Sequence, residues 1–486
     1  RKLSKDIEWR PKARLVVGGH KDPDAPYLAT NARTISRLAV LSILQVVASR
    51  QKQEDPWIAS AGDVASAFLN GPPLQRLLYL QQPASGVAGM EKGALWKVEK
   101  GIFGLVDSPR GWWGEIKDIL AEIRVHWRET TFFLEQLALD PCVFCLKDLA
   151  HPELPPQGYL GIHVDDLLAA GPRSLCDALK DSLNAALPVD EWLDNQFEYL
   201  GSRVVVDEDG VTVDQELYTS GRLFTVDIGK EQHDLDPATR EQYIDNMSAI
   251  GALSWLASQT RPDLQAGVSM AQQLQRQPLV EDLRFTNSLV KKAWAHREES
   301  MRLKPVDLTS FEILAYHDAA WANTKPATGQ DPDFMLYAED ELDGIMEDSP
   351  FKNKERKAKR LASKVASQFG VLIMLADSEC TFGEEGNASI LEWRSASIKR
   401  VCRSTFAAET MACSEGLETG QYVRSFFCSL LEGRLRRVED LHGQHLRRLA
   451  IDLAALRQSL NWEKRGATNA YRRRTSSQAS EKDVGT

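Results

Sequence analysis

Apolar and polar positions along this chain repeat with two different periods, and the change from one to the other marks out its elements. From Ile35 to Ala48 apolar side chains recur at helical spacing, and a second helix is expected within 100 to 123, after the loop at Gly104. Short apolar runs predict strands near 57 to 63, 142 to 146, 159 to 164 and 197 to 206. Val204-Val-Val206 and Val211-Thr-Val213, joined through Asp207-Glu-Asp-Gly210, read as the clearest hairpin. Residues 240 to 300 read as helical, with Arg261-Pro262-Asp263 as an interruption. Residues 325 to 363 are rich in acid, then base, without a clean period, and are expected to be an inserted loop or partly disordered. From Asn461 onward apolar residues almost vanish, which predicts a disordered tail over 461 to 486.

One strand pair carries unusual chemistry. In Gly158-Tyr-Leu-Gly-Ile-His163-Val-Asp165-Asp166-Leu-Leu-Ala-Ala-Gly171, two adjacent carboxylates separate two apolar runs, the pattern of a β-hairpin with an acidic tip. An isolated Asp-Asp is ordinarily a polar turn. Neighbouring carboxylates repel, however, and hard divalent cations such as Mg²⁺ relieve the repulsion by taking their oxygens as ligands. A third carboxylate strengthens that reading. Trp57-Ile-Ala-Ser-Ala-Gly-Asp63-Val-Ala-Ser-Ala-Phe68-Leu-Asn-Gly71 reads as a short strand ending at Asp63 and turning into an Ala-rich helix, so Asp63 can face the hairpin tip. Three carboxylates on two strands can clamp two Mg²⁺ ions, one activating an attacking 3′-hydroxyl and one holding a triphosphate.

Five segments in one order carry a family resemblance: Lys12-Ala-Arg14-Leu-Val, Asp63 to Gly71, Tyr79-Leu-Gln-Gln-Pro83, Gly101-Ile-Phe-Gly104-Leu-Val-Asp-Ser108-Pro109-Arg110 and His163-Val-Asp165-Asp166. Together they resemble the reverse transcriptase of copia-type retrotransposons. Tyr199-Leu-Gly201, Tyr218, Ala249-Ile-Gly251-Ala-Leu-Ser-Trp255 and Thr260-Arg261-Pro262-Asp263 extend the likeness through the end of that domain and the segment after it. The resemblance implies that Asp63, Asp165 and Asp166 form a metal-binding triad. It implies that Phe68 lies beneath the sugar of the incoming nucleotide and excludes a 2′-hydroxyl; taken alone, Phe68 reads as an ordinary helix-face core residue. Gly104, Ser108 and Pro109 would form the loop against the template and incoming base pair. Lys12 and Arg14 would lie in the fingers near the triphosphate, although two such cations in an exposed strand are usually just solvated. His163 stands where the family normally has Tyr, and a His there can still hydrogen-bond near a primer end.

A second acidic set begins at Ala315-Tyr316-His317-Asp318-Ala-Ala-Trp321-Ala322, which looks like the opening strand of the RNase H domain that follows such polymerases. Ser389-Ile-Leu-Glu-Trp393-Arg-Ser395 and Arg403-Ser404-Thr405-Phe-Ala-Ala-Glu409-Thr410 resemble a strand and then a helix bearing the second carboxylate. Asp318, Glu409 and Asp452 match the family's acidic positions, as catalytic and metal ligands. Between Tyr422 and His445 no strand carries a third carboxylate; the one candidate, Asp440, falls in a segment that reads as a solvated charged helix. An internal deletion and impaired cleavage of RNA–DNA hybrids follow as expectations, since such sites need about four carboxylates for two ions.

Composition bears on partners. With 43% hydrophobic residues the chain supports real cores, but a net charge of −10 is unlike a protein that wraps nucleic acid over its whole surface. Phosphate contacts would need local basic tracks such as Lys352 to Arg360 or Arg472-Arg473-Arg474, which otherwise read as solvated or disordered runs. Seven scattered cysteines make no disulfide framework, and Cys142 and Cys145 read as small apolar strand residues rather than zinc ligands. No signal peptide or membrane-length apolar run is present, so an intracellular protein is expected, in a cytoplasmic particle or the nucleus. The chain also starts late relative to a full copia-type polymerase, which suggests a piece of a polyprotein or a translated remnant.

The expected fold is α/β (α+β): a fingers and palm region over 1 to 225, a helical thumb or connection over 226 to 304, and an RNase H-like domain over 305 to 460. The expected activity is RNA-directed DNA synthesis with Mg²⁺ or Mn²⁺, deoxynucleoside triphosphates, an RNA template and a DNA or RNA primer, with RNA–DNA hybrid as the second substrate. The alternative is an inactive remnant that only binds nucleic acid. Reuse of the palm by a host as an interaction scaffold is a third reading.

Overall fold

In the computed structural model, residues 16 to 320 and 367 to 435 are described, apart from Ala84, Ala88, Val401 and Arg403. The expected positions Lys12, Arg14, Asp440 and Asp452, the segment 325 to 363, both basic runs and the tail lie outside the described residues.

The fold is mixed α/β. Helix α1 (Arg37–Ser49) is started by the Ser36 hydroxyl, which accepts from Ala39 N at 3.1 Å, and buries most of its side chains. Strand β1 (Trp57–Asp63) follows, then the short α2 (Ala67–Asn70). The Ala-rich stretch after Asp63 therefore makes a single turn of helix rather than a long one, because Ser66 immediately before it takes a left-handed conformation. A small hairpin pairs β2 (Tyr79–Gln81) with β3 (Leu95–Lys97). Next come α3 (Ser108–Glu122), β4 (Arg124–Trp127), β5 (Thr130–Gln136), β6 (Val143–Asp148), β7 (Gly158–His163), β8 (Asp166–Pro172), α4 (Arg173–Ala186) and β9 (Leu193–Asp194). A seven-stranded sheet runs in the order β4-β5-β6-β7-β8-β1-β9.

Strands β1, β7 and β8 are buried on both faces, which is why their sequences run apolar without alternation. On one face α3 and α4 supply Trp112, Ile116, Leu120, Leu175, Leu179 and Leu183 against Leu160, Ile162, Leu167 and Ala169. On the other, Gly161 leaves the space that Ile35 occupies: a Cβ there would lie 2.7 Å from Ile35 Cδ1.

The run expected as one strand over 197 to 206 is two, β10 (Gln196–Tyr199) and β11 (Ser202–Asp207), because Leu200 and Gly201 both take positive φ and close a tight hairpin. Strand β12 (Gly210–Asp214) pairs with β11 as the sequence predicts, and β13 (Met301–Leu303) completes a four-stranded sheet. Between them lie α5 (Glu216–Arg222), α6 (Arg240–Gln259), α7 (Gln265–Leu274) and α8 (Val280–Ala295), packed around Leu253, Leu256, Val268, Leu289 and Val290. Arg261-Pro262-Asp263 interrupts the helices as expected: a short 3-10 turn begins at Pro262. Finally β14 (Phe311–Ala320), β15 (Gln368–Asp377) and β16 (Ala388–Ser397) form a three-stranded sheet, followed by α9 (Thr405–Glu432).

The described residues divide into two compact units, one of 16 to 314, 374 to 392 and 426 to 435, the other of 315 to 320, 367 to 373 and 393 to 425. Among the described residues no helix is long and apolar enough to cross a membrane.

Candidate active site

Three buried strands end together at one place, two of them in acid and one in histidine. Strand β1 stops at Asp63 and β8 starts at Asp166, and the antiparallel register sets these two residues opposite one another. Directly opposed residues share a face of the sheet, with Cα atoms about 4.5 to 5.5 Å apart in any antiparallel pair. His163, the last residue of β7, is opposite Asp166 on its other side. Asp63, His163, Asp165 and Asp166 are all half-buried, whereas the strand residues leading into them are buried.

The connection between β7 and β8 has only two residues, Val164 and Asp165. Val164 lies at φ +59°, in the left-handed region. Neighbours hold the turn: Trp112 Nε1 donates to the Val164 carbonyl at 2.7 Å, and Val64 N donates to the Asp165 carbonyl at 2.8 Å. Asp190 N donates to the Asp63 carbonyl at 2.9 Å, tying the end of β1 from the opposite side.

Electrostatics follow from this packing. Burial pushes the His163 imidazole below its usual range, against the pull of Asp165, so the ring is neutral at pH 7. Burial, with Asp166 adding to it, raises the Tyr199 phenol well above its usual range. Its hydroxyl is buried without a hydrogen-bond partner, and the ring lines a cavity of about 190 Å³ together with His163. For divalent ions the donor chemistry fits, since all three candidates are carboxylates and hard cations prefer oxygen. Among the described residues, however, no three His, Cys, Asp or Glu side chains are gathered tightly enough to hold an ion.

The remaining candidates occupy two other neighbourhoods. Phe68 is buried beside the acidic strand ends and packs edge-on against Phe103, ring centroids 4.9 Å apart. Gly104 is exposed at φ +94°, and any Cβ there would lie 2.0 Å from the Val17 carbonyl oxygen, so only glycine lets the two segments meet. Ser108 is buried and its hydroxyl accepts from Ile102 N at 3.0 Å, while Pro109 sits in the first turn of α3. Ser108 thus shapes the loop rather than facing outward. In the second unit Asp318 is exposed on β14 and Glu409 is half-buried near the start of α9. The helix passes β14 closely at Gly416, where a Cβ would lie 3.1 Å from that of His317.

Two contributors had no signal in the sequence. Trp112 was one apolar position among several in α3. Arg76 gathers Asp22 at 2.6 Å, Asp24 at 3.3 Å and Asp107 at 3.4 Å, from segments 54, 52 and 31 residues away. Such a convergence of distant loops leaves no periodicity to read.

Residues 1 to 232 match the family described as reverse transcriptase (RNA-dependent DNA polymerase). Over 334 residues, 65% of this chain, the sequence is 25% identical to the retrovirus-related Pol polyprotein from transposon RE1 of Arabidopsis thaliana. It is 24% identical over 302 residues, 57% of the chain, to that from transposon TNT 1-94 of Nicotiana tabacum. The match spans 21% of the length of each of these polyproteins. A putative transposon Ty5-1 protein of Saccharomyces cerevisiae is 23% identical over 274 residues, 53% of this chain and 82% of its own length.

Proposed function

The chain belongs to the copia-type retrotransposon Pol polyproteins and carries a reverse transcriptase domain over residues 1 to 232, and from that premise we propose that it is an RNA-directed DNA polymerase whose chemistry occurs at Asp63, Asp165 and Asp166. One observation carries the reading: the register that pairs Asp63 with Asp166 while Asp165 occupies the adjoining two-residue turn. Like charges directly opposite in a sheet repel, and divalent cations bound between them would relieve that repulsion.

In this reading Asp63, Asp165 and Asp166 would draw together to hold two Mg²⁺ or Mn²⁺ ions, which would supply activation of the primer hydroxyl and charge neutralisation at the triphosphate. The protein's own part is positioning. Phe68, wedged against Phe103 in the core, presents a fixed ring edge to the nucleotide sugar. Gly104, Ser108 and Pro109 hold the loop toward the template and incoming base pair, with Lys12 and Arg14 assigned to the triphosphate. Neutral His163 offers a hydrogen bond near the primer end. RNA template, DNA or RNA primer and deoxynucleoside triphosphates are the proposed partners, in a cytoplasmic particle or the nucleus. Residues 1 to 225 act as fingers and palm, 226 to 304 as thumb or connection, and 305 to 460 as an RNase H-like domain impaired for want of one carboxylate beyond Asp318, Glu409 and Asp452.

The test is primer extension on an RNA template with Mg²⁺ and then Mn²⁺, against a protein carrying Asp165→Asn and Asp166→Asn. Extension that disappears in the double variant is expected, with no hydrolysis of RNA–DNA hybrid by either protein. The alternative, binding of nucleic acid without catalysis, draws on the absence of three gathered ligands among the described residues. Salt-sensitive binding of primed template with no nucleotide addition by folded protein would establish it.

A further inference from the structure

We propose that Trp112 is a positioning residue for the acidic turn: its indole N–H holds the Val164 carbonyl and thereby keeps Asp165 and Asp166 beside Asp63. The inference rests on the polymerase reading only for what the turn is used for.

The turn is under strain that its own sequence does not relieve. In a two-residue hairpin connection with a left-handed first residue, that position is normally glycine. Here it is Val164 at φ +59°, and a β-branched residue in the left-handed region is a genuine outlier. Such a conformation persists only where its surroundings over-determine it. Besides the packing of Val164 against the core, the surroundings supply two hydrogen bonds, one on each peptide carbonyl of the turn, from Trp112 Nε1 at 2.7 Å and Val64 N at 2.8 Å. The second joins the turn to the strand that bears Asp63, so it defines the spacing of the carboxylates only while the first keeps Val164 in place.

Trp112 is suited to that task. It is 1% exposed and packs in the same core cluster as Ile116, Leu120, Ile162 and Leu167, so its ring cannot swing away. Indole has a single donor, and it is spent here on a turn carbonyl. Helix α3 is anchored at its start, where Arg76 meets Asp107 and Ser108 meets Ile102. A chain of contacts therefore runs from the surface loops through α3 to the acidic turn.

The test uses the full chain with Trp112→Phe, alone and combined with Val164→Gly. Amide hydrogen exchange at residues 163 to 166 is expected to quicken about tenfold in Trp112→Phe, the scale of one hydrogen bond, with β5 and β6 unchanged. Primer extension should need a correspondingly higher Mg²⁺ concentration for half-maximal rate. With glycine at 164 the backbone takes the turn without strain, so the effect of Trp112→Phe should shrink to about twofold or less. An equal effect in both backgrounds, or exchange that rises evenly across the whole sheet, would overturn the proposal and reduce Trp112 to a core residue. If Trp112→Phe does not fold, benzothienylalanine at position 112 keeps the bicyclic shape without the N–H and is read the same way. Localised exchange in a protein that never extends a primer would support the clamp while refuting the polymerase reading.

Discussion

At the scale of single residues, the acidic site depends on positions whose chemistry and packing pull in different directions. Phe68 illustrates this. Its aromatic ring is buried in the core and edge-on to Phe103, so its proposed action on the nucleotide sugar is inseparable from its packing. Phe68→Val is expected to raise incorporation of ribonucleotides relative to deoxynucleotides, and to lower stability by about 1 to 3 kcal/mol for the lost ring. Competitive incorporation assays and denaturant melts measure the two separately; unchanged sugar selectivity would refute the gating role. His163 shows the same tension, since the charge of Asp165 favours protonation while burial holds the imidazole below its usual range.

At the scale of elements, loops are held to the sheet by side chains that reach across long stretches of sequence. Arg76 joins the segment at Asp22 and Asp24 to the entry of α3 at Asp107. Its hydrogen bond to Asp22 is the main reason that carboxyl ionises below its usual range. A carboxyl with a depressed folded pKa stabilises the protein above its unfolded pKa, and the contribution disappears as pH falls through the folded value. Arg76→Met is therefore expected to cost about 1.5 to 3 kcal/mol near neutrality, with the difference from the parent shrinking below about pH 4. Urea unfolding at pH 7 and pH 3 checks it, and a difference that does not narrow in acid would exclude the ion pair as its source.

At the scale of the whole molecule, the three buried thiols of the larger unit set an alkaline limit. Cys142, Cys145 and Cys176 are free, and burial pushes each up to about 12. The unfolded chain gives up these protons near pH 9 while the folded one keeps them, so the unfolded state binds fewer protons in that window. Stability should accordingly fall as pH rises from 9 toward 12, at up to about 1.4 kcal/mol per pH unit per thiol. Unfolding midpoints between pH 8 and 10.5 read the slope, and replacing the three cysteines by alanine should flatten it; an unchanged slope would assign it to other groups.

Much of the architecture was legible because it is local. Helical spacing marked α1 and α6 to α8, uninterrupted apolar runs marked β1, β7 and β8, and Asp-Asp between two such runs marked the hairpin. Cys145 was readable as a buried strand residue for the same reason, whereas Cys142, equally buried, lies in the turn just before β6. The break at Leu200-Gly201 and the brevity of α2 were not, since a strand pattern does not reveal where a non-glycine residue will turn left-handed. Strand register was also hidden: that Asp63 faces Asp166, with His163 on its other side, is decided by how β1 and β7 pair with β8. Likewise Trp112 meets Val164 and Arg76 meets three distant carboxylates only after the chain has closed loops of tens of residues. Residue type and spacing are properties of neighbours along the chain, and the sequence determined those by itself. Opposition across a sheet and convergence of loops join residues with no common period, so only the tertiary structure could decide them.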